Sequence, residues 1–433
     1  MYDAIAMTAA RPAAETLRAG IATVLFLGIA CGVQMSDRGL QSILSPAIRA
    51  TFGVGDAVMG ALHGIAGILI ASALAIPLAR LADRHSRKRI LLALIAAWTL
   101  LTLLGALAPN FPLFFVGRAA AGITEFAMIP IVYSLIPDLV GERLRVAANL
   151  TFAALMSVGA SAGFYLGGDL LQLMTELEGS GWLGNLAPWR RTMALLALAG
   201  LPLLLLGALT LDPPRHADAG DPASPASLAG FVRSHLRQVL LFLGAAGGVA
   251  IAVQAVVPMI AMALDRRYAA DLGAVGHTLG VLTLIGTMVS LPIAWIVDRT
   301  LSGRMGLRAR PALMGAATAV AVPCAALLAF APSPSAALAL TGALLLTTCI
   351  ANALLPTMLQ DLAPVALRAR AFAGYSFLIA AFCALGPLLA GGISQYLLAN
   401  DLLSAISLAS VPAMALTLVC TLLWCLQRAP SPG

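Results

Sequence analysis

Four ionisable residues sit where a charge is costly. Asp37 and Arg38 belong to Met35-Ser36-Asp37-Arg38, and Arg118 and Glu125 to Gly117-Arg118-Ala-Ala-Ala-Gly122-Ile-Thr-Glu125, both inside long apolar runs. A charge at a membrane helix centre costs roughly 2.5–3.5 kcal/mol, so it normally faces a partner or a wet cavity. Arg118 and Glu125 lie two turns apart on one helical face, roughly 10 Å, too far to pair with each other. Opposed helix directions put Asp37 and Arg118 at one depth, which makes them the natural pair and leaves Glu125 nearer the midplane. Burial favours the protonated carboxyl and a nearby arginine favours the ionised one. Moving that contact would load and unload a proton at Asp37 and Glu125, with Arg118 and Arg38 as the switching partners. The competing reading is a static set of ion pairs that fixes helix packing.

Weaker polar signals are Gln34, His63, Tyr133 and Gln254, each inside an apolar run. They are candidate substrate contacts, although a lone polar group in a membrane helix more often bonds a neighbouring helix. His85, His216, His235 and His277 fall at loops or helix ends, and six cysteines are spread through apolar blocks. Neither set has metal-ligand spacing, so no metal is expected. A phosphate loop and a nucleophile elbow are both missing from the sequence, which argues against ATP-driven chemistry and against an enzyme. No cofactor is expected, the proton gradient being the energy source.

The elements that carry these residues follow from composition. Apolar residues make up 60% of 433 and charged residues 10%, against about 25% charged in a soluble domain. Mean hydropathy is +0.94. Apolar blocks of roughly 20 or more residues match the hydrocarbon thickness. They place helices at 21–44, 56–81, 90–107, 111–135, 146–171 and 192–211, then 239–264, 273–297, 311–331, 337–359, 372–398 and 402–425. The expected fold is an all-α membrane protein of twelve helices in two six-helix bundles, residues 1–211 and 238–433. A polar linker at 212–237 joins them, with a short surface helix near 228–236. The net charge of +7 does not gather on one face, which excludes nucleic acid as a partner. The arginines concentrate instead in alternate loops, so the positive-inside rule places both termini in the cytoplasm. Of the outward loops, the arginines are Arg49, Arg190, Arg191, Arg266 and Arg267.

The two halves look alike. Asp83-Arg84-His-Ser-Arg87-Lys88 matches Asp298-Arg299-Thr-Leu-Ser-Gly303-Arg304. Asp138-Leu-Val-Gly-Glu142-Arg143-Leu-Arg145 matches Asp361-Leu-Ala-Pro-Val-Ala-Leu-Arg368, and Gly163-Phe-Tyr-Leu-Gly167-Gly168 matches Gly386-Pro387-Leu-Leu-Ala-Gly391-Gly392. Such repeats suit carriers, in which two bundles rock about a midplane site.

Asp83-Arg84-x-x-Arg87-Lys88 resembles the loop signature of the major facilitator superfamily, with Ala79 and Ser86 where that family usually has glycine. The resemblance implies a conformational latch among Asp83, Arg84, Arg87, Lys88, Asp138, Glu142, Arg145, Asp298, Arg299, Asp361 and Arg368. Met35 to Arg38, Phe52-Gly-Val-Gly-Asp56 and the Arg118 to Glu125 segment further resemble the Spinster branch. That resemblance implies a proton-linked carrier of lysolipid- or sphingoid-like amphiphiles, and the short tails are similar to those of its bacterial members. A monomer in the bacterial inner membrane is the expected state. No ionisable residue lies deep in the second-half helices, so a mainly apolar wall is expected to face the charged first half. A multidrug or small-solute antiporter is the runner-up, weakened by Phe164 where the antiporter motif has proline. A non-transporting receptor or scaffold is the third reading.

Overall fold

The computed structural model describes residues 2–74, 78, 85–177, 179, 184–210, 228–364 and 367–426. Side chains are described from Leu17 onward, apart from isolated positions. Among the described residues, twelve helices are long and apolar enough to cross a membrane, and all regular structure is helical. We label them α1 (Leu17–Phe52), α2 (Asp56–Leu74), α3 (Arg87–Ala106), α4 (Phe111–Val140), α5 (Ala147–Glu176) and α6 (Pro188–Ala208). The others are α7 (Leu236–Val256), α8 (Leu272–Ser290), α9 (Ala309–Leu328), α10 (Pro334–Leu362), α11 (Arg370–Leu397) and α12 (Leu402–Leu426). The expected surface helix is present as Leu228–Ser234, and most of the linker lies outside the described residues. α1 runs on to Phe52, eight residues beyond the expected end at Leu44. Ile48 and Ser45 are fully buried there, so packing extends the helix past its apolar stretch.

Contacts divide the chain into two compact units, residues 1–40 with 70–219, and residues 41–69 with 220–433. In the first unit, helical hydrogen bonding continues from Phe111 to Glu176, yet the chain reverses between α4 and α5. The neighbours along α1 show it. Gly20 abuts Leu139 and Asp37 reaches Arg118, so α4 descends as α1 rises; Gly28 abuts Leu155 and Ser36 abuts Gly163, so α5 rises with it. Val24, Leu27 and Cys31 of α1 pack with Leu91, Leu94 and Ile95 of α3, Ile131 and Leu135 of α4, and Phe152 of α5. This core forms the floor beneath the charged residues of α1 and α4.

In the second unit, α7 packs against α11 and α12, α9 against α10 and α12, and α8 against α10. The far ends of α1 and α2 join this unit, α2 lying along α11. α7 breaks at Val257–Met259, around Pro258, and resumes as Ile260–Tyr268. Ser42 of α1 donates to the Val257 carbonyl at 2.9 Å, satisfying an acceptor beside the break, as irregular backbone at membrane depth requires.

Each unit repeats the same devices. A Cβ on Gly163 of α5 would stand 2.0 Å from the Ser36 carbonyl oxygen of α1, and one on Gly386 of α11 would stand 2.5 Å from that of Ile251 on α7. Small residues let these backbones approach closely. Arg87 at the start of α3 pairs with Asp138 on α4, and Arg310 at the start of α9 pairs with Asp361 on α10. Tandem arginines cap helix ends in both units. Arg190 donates to the carbonyls of Ala106 and Ala108 at 2.8 and 2.7 Å, and Arg191 to Leu177 at 2.8 Å. Arg266 donates to Asn400 at 2.7 Å and Arg267 to Ala329 at 2.8 Å. Cations at bare C-terminal carbonyls satisfy orphan acceptors and complement the helix dipole. These four arginines, expected in outward loops, therefore stand in helical turns and bind the ends of neighbouring helices.

Adding a methyl group separates tight from open positions. Gly392 of α11 has nothing within 4 Å of an added Cβ, so Gly392→Ala should leave stability unchanged or slightly raised. Gly163→Ala forces α1 and α5 apart, at a cost of about 1–3 kcal/mol. Unfolding of the two variants in mixed micelles measures the contrast; equal stability would contradict this packing.

Candidate functional site

The first unit brings its four embedded charges together in two pairs. Arg118 Nη1 donates to Asp37 Oδ2 at 2.8 Å, with side chains 4% and 1% exposed. Arg38 Nε donates to Glu125 Oε2 at 3.1 Å, and the Glu125 side chain is 2% exposed. Asp37 therefore pairs with the arginine at its own depth, and Arg38 is the partner of Glu125. Antiparallel α1 and α4 carry all four. Adjacent residues on a helix diverge by about 100°, so Asp37 and Arg38 reach different points along α4, seven residues apart.

Two aromatic residues complete the surroundings, and sequence reasoning assigned a role to neither. Trp98 of α3 is fully buried and donates Nε1 to Asp37 Oδ2 at 3.3 Å. Phe126 lies under the Arg38 guanidinium, 4.4 Å from ring centroid to carbon, a cation–π contact. A tryptophan in a membrane helix has many bland roles, and only the fold shows that Trp98 faces Asp37.

The pairs are incompletely satisfied. Asp37 Oδ1, Glu125 Oε1, Arg38 Nη2 and both amide atoms of Gln34 are buried without a hydrogen-bond partner among the described residues. A bare buried polar group costs about 1–3 kcal/mol. A purely structural ion-pair set would gain by closing these valences. Carboxylates that keep one oxygen open are suited to accept a proton.

The other candidates disperse. His63 lies where α2 widens into a π-helical segment, Leu62–Ile70, and its Nε2 is 2.9 Å from Ser45 Oγ. That is helix bonding, the commoner role for such a residue. Tyr133 is 42% exposed and stands edge-on to Phe152 at 5.0 Å. Gln254 is half-buried on α7. Of the latch residues, Asp83 and Arg84 and the side chains of Glu142 and Asp298 lie outside the described residues. Arg87 binds Asp138 and the Ser134 carbonyl, and Lys88 donates to the carbonyls of Ala208 and Thr210 at 2.8 and 2.6 Å. Arg145 is exposed. Arg299 lies 5.5 Å from the Trp295 ring, and Arg368 donates to the Ala363 carbonyl at 3.3 Å. The matched Asp-to-Arg spacing is a sign of the repeat, and the two aspartates find their partners elsewhere. Each aspartate takes an arginine from the start of the neighbouring helix, because seven residues along one chain is too great a reach.

A second charge cluster, whose aspartate entered the sequence reading only as part of a family-like motif, lies in the second unit. Asp56 at the start of α2 is fully buried. Its Oδ1 accepts from Arg49 Nε at 3.0 Å and Arg266 Nη2 at 2.6 Å; its Oδ2 accepts from Arg266 Nη1 and Ser394 Oγ, each at 2.6 Å. Gln395 of α11 accepts from the Ala57 N–H at 3.0 Å, which caps α2 from a neighbouring helix. The hydrogen bond to Asp56 raises the pKa of Arg266 further. One carboxylate thus ties the far ends of α1 and α2 to α7 and α11. The signal was a lone aspartate opening a helix, with arginines at the end of α1 and beyond α7.

Breaking one buried pair tests its worth. Arg118→Leu should destabilise by about 3–5 kcal/mol by stranding Asp37, and Arg118→Leu with Asp37→Leu should recover most of that loss. A double-mutant cycle of unfolding free energies checks both, and an unchanged single variant would contradict the pairing.

Comparison with known proteins agrees with this architecture. The sequence matches the family description "Major Facilitator Superfamily" over residues 26–347. It is 26% identical over 220 residues to the cephamycin export protein CmcT of Amycolatopsis lactamdurans, covering 48% of this chain and 41% of that one. It is 27% identical over 244 residues to human protein spinster homolog 1, covering 53% and 43%. The matches thus span less than half the length of these relatives. The fold resembles a bacterial homologue of the human lysosomal transporter Spinster in an inward-facing, unoccupied conformation. The TM-score is 0.77 at 19% identity, covering 94% of this chain and 95% of that one. It also resembles the nucleoside transporter NupG, with a TM-score of 0.70 at 14% identity over 94% and 100%. With twelve apolar helices, this Spinster-like multi-pass membrane protein belongs to the Major Facilitator Superfamily.

Proposed function

We propose that the protein is a proton-coupled secondary transporter that moves lysolipid- or sphingoid-like amphiphiles by alternating access. The observation that carries this is the α1–α4 site. Two carboxylates are each held by one arginine, and each has one buried oxygen bare. Such a carboxylate is neutralised by a proton when its arginine withdraws, and ionised again when the arginine returns. Coupling needs that contact to differ between two global states. Asp37, Arg38, Arg118 and Glu125 are the proton-coupling residues in this reading.

The far-end cluster supplies a matching element. For α1 and α2 to part from α7 and α11 there, Asp56 must surrender Arg266 and Ser394, and α2 must lose its cap from Gln395. Contacts of this kind, made in one state and broken in the other, are what distinguish the states of a switching protein. Within the first unit Arg87–Asp138 holds the start of α3 to α4, and within the second Arg310–Asp361 holds the start of α9 to α10. In this reading those helix starts and both termini are cytoplasmic in a bacterial inner membrane, with the protein acting as a monomer and no cofactor beyond the proton gradient.

The amphiphile reading is supported by similarity to the Spinster proteins and by second-half helices that carry no ionisable residue at depth. Gln34, Tyr133 and Gln254 are candidate contacts for a polar head group; His63 is weakened in that role by its bond to Ser45. A second reading, export of a small drug-like solute, is favoured by similarity to the cephamycin exporter.

Proteoliposomes with an imposed pH gradient separate the two. Labelled lysophosphatidylcholine should accumulate with the gradient, whereas a cephamycin-type β-lactam and a cationic dye should not. Glu125→Gln should reduce gradient-driven uptake by about 100-fold, the scale of a lost acid–base group, while exchange without a gradient persists. Uptake by Glu125→Gln that still follows pH as the wild type does removes Glu125 from the coupling.

A further inference from the structure

Gln34 is 1% exposed, and neither its Oε1 nor its Nε2 has a hydrogen-bond partner among the described residues. A leucine there would keep the volume and avoid the cost of a bare buried amide, so the glutamine needs a reason. Its register supplies one. Gly20 of α1 abuts the Leu139 carbonyl of α4. Because the helices are antiparallel, fourteen residues onward from Gly20 and fourteen back from Leu139 stand Gln34 and Glu125 (34 − 20 = 14; 139 − 125 = 14). That distance is close to four turns, which returns both residues to the facing sides. One turn further along α1, Arg38 shares the face of Gln34.

The bare atoms form a complementary set. Gln34 Nε2 and Arg38 Nη2 are donors, and Gln34 Oε1 and Glu125 Oε1 are acceptors, all buried and unpartnered among the described residues. Glu125 and Gln34 stand level yet make no bond to each other. A water molecule donates two hydrogen bonds and accepts two, and buried water settles where two to four polar groups await it.

We propose that Gln34 is a positioning residue that holds ordered water against Glu125, and that this water delivers and removes the proton. This inference rests on the proton-coupling reading above. In the loading step an O–H bond of hydronium breaks and its proton joins Glu125 Oε1, leaving water and a neutral carboxyl; unloading is the reverse. The charged groups bearing on Glu125 are Arg38 and Asp37 from α1 and Arg118 on its own helix. Trp98 of α3 touches Asp37 but carries no charge. Gln34 has no titrating proton, so it orients the water without competing for what the water carries.

The test reads protonation directly in purified, reconstituted protein, without needing the substrate. Infrared difference spectra after a pH jump isolate the Glu125 carboxyl as the signal present in the wild type and missing in Glu125→Gln. Gln34→Leu should stay folded, with an unchanged or higher melting temperature, but protonate Glu125 about tenfold or more slowly. Gln34→Ser, which restores a hydroxyl and room for water, should regain most of the rate and guards against a leucine variant that fails to fold. Wild-type protonation rates in Gln34→Leu would overturn the role of Gln34 alone. Identical wild-type and Glu125→Gln spectra would overturn the proton-coupling reading with it.

Discussion

Holding two carboxylates and two arginines inside an apolar bundle is the constraint that the first unit is built to meet. Each charge would cost several kcal/mol if stranded, so α1 and α4 must lie close, antiparallel and in one register. The backbone approach at Gly20 permits that closeness, and the one at Gly163 seats α5 against α1. Trp98 approaches Asp37 from α3, and the apolar core beneath, from Val24 to Phe152, makes the register rigid. Position and packing are therefore one problem, solved together by small residues and large ones.

The solution is incomplete in a specific way. Each carboxylate has one oxygen paired with an arginine and one bare. A fold selected only for stability would replace this set with apolar residues, which is often neutral or stabilising. This chain instead carries the charged set, beside a Gln34 with no partner among the described residues. Asp56 presents the opposite pattern, with both oxygens saturated by Arg49, Arg266 and Ser394. A saturated carboxylate suits a clasp, and a half-satisfied one suits exchange.

Much of this was legible in the sequence because hydrophobic length and embedded charge are strong signals. Twelve spans, and the Asp37–Arg118 pair, followed from block lengths and helix direction. Register and partner choice were less legible. Asp138 and Asp361 each have an arginine seven residues onward, and both instead pair with an arginine from a neighbouring helix, Arg87 and Arg310. The arginine caps of α3, α5 and α9 looked like topology exceptions until their carbonyl partners were placed. Asp56 resembled an ordinary helix opening, since its partners Arg266 and Ser394 are more than 200 residues away. Local pattern reveals an element, but a charge buried by distant partners is visible only in three dimensions.

If ligand movement and proton movement are one event at the α1–α4 site, the coupling must also run backwards. Proteoliposomes enclosing a pH-sensitive dye, with no pH gradient, are given lysophosphatidylcholine on one side only. Lumenal pH should then change with the lipid gradient, and the change should vanish in Glu125→Gln. Lysolipid crossing at wild-type rate with the lumenal pH unmoved would contradict it.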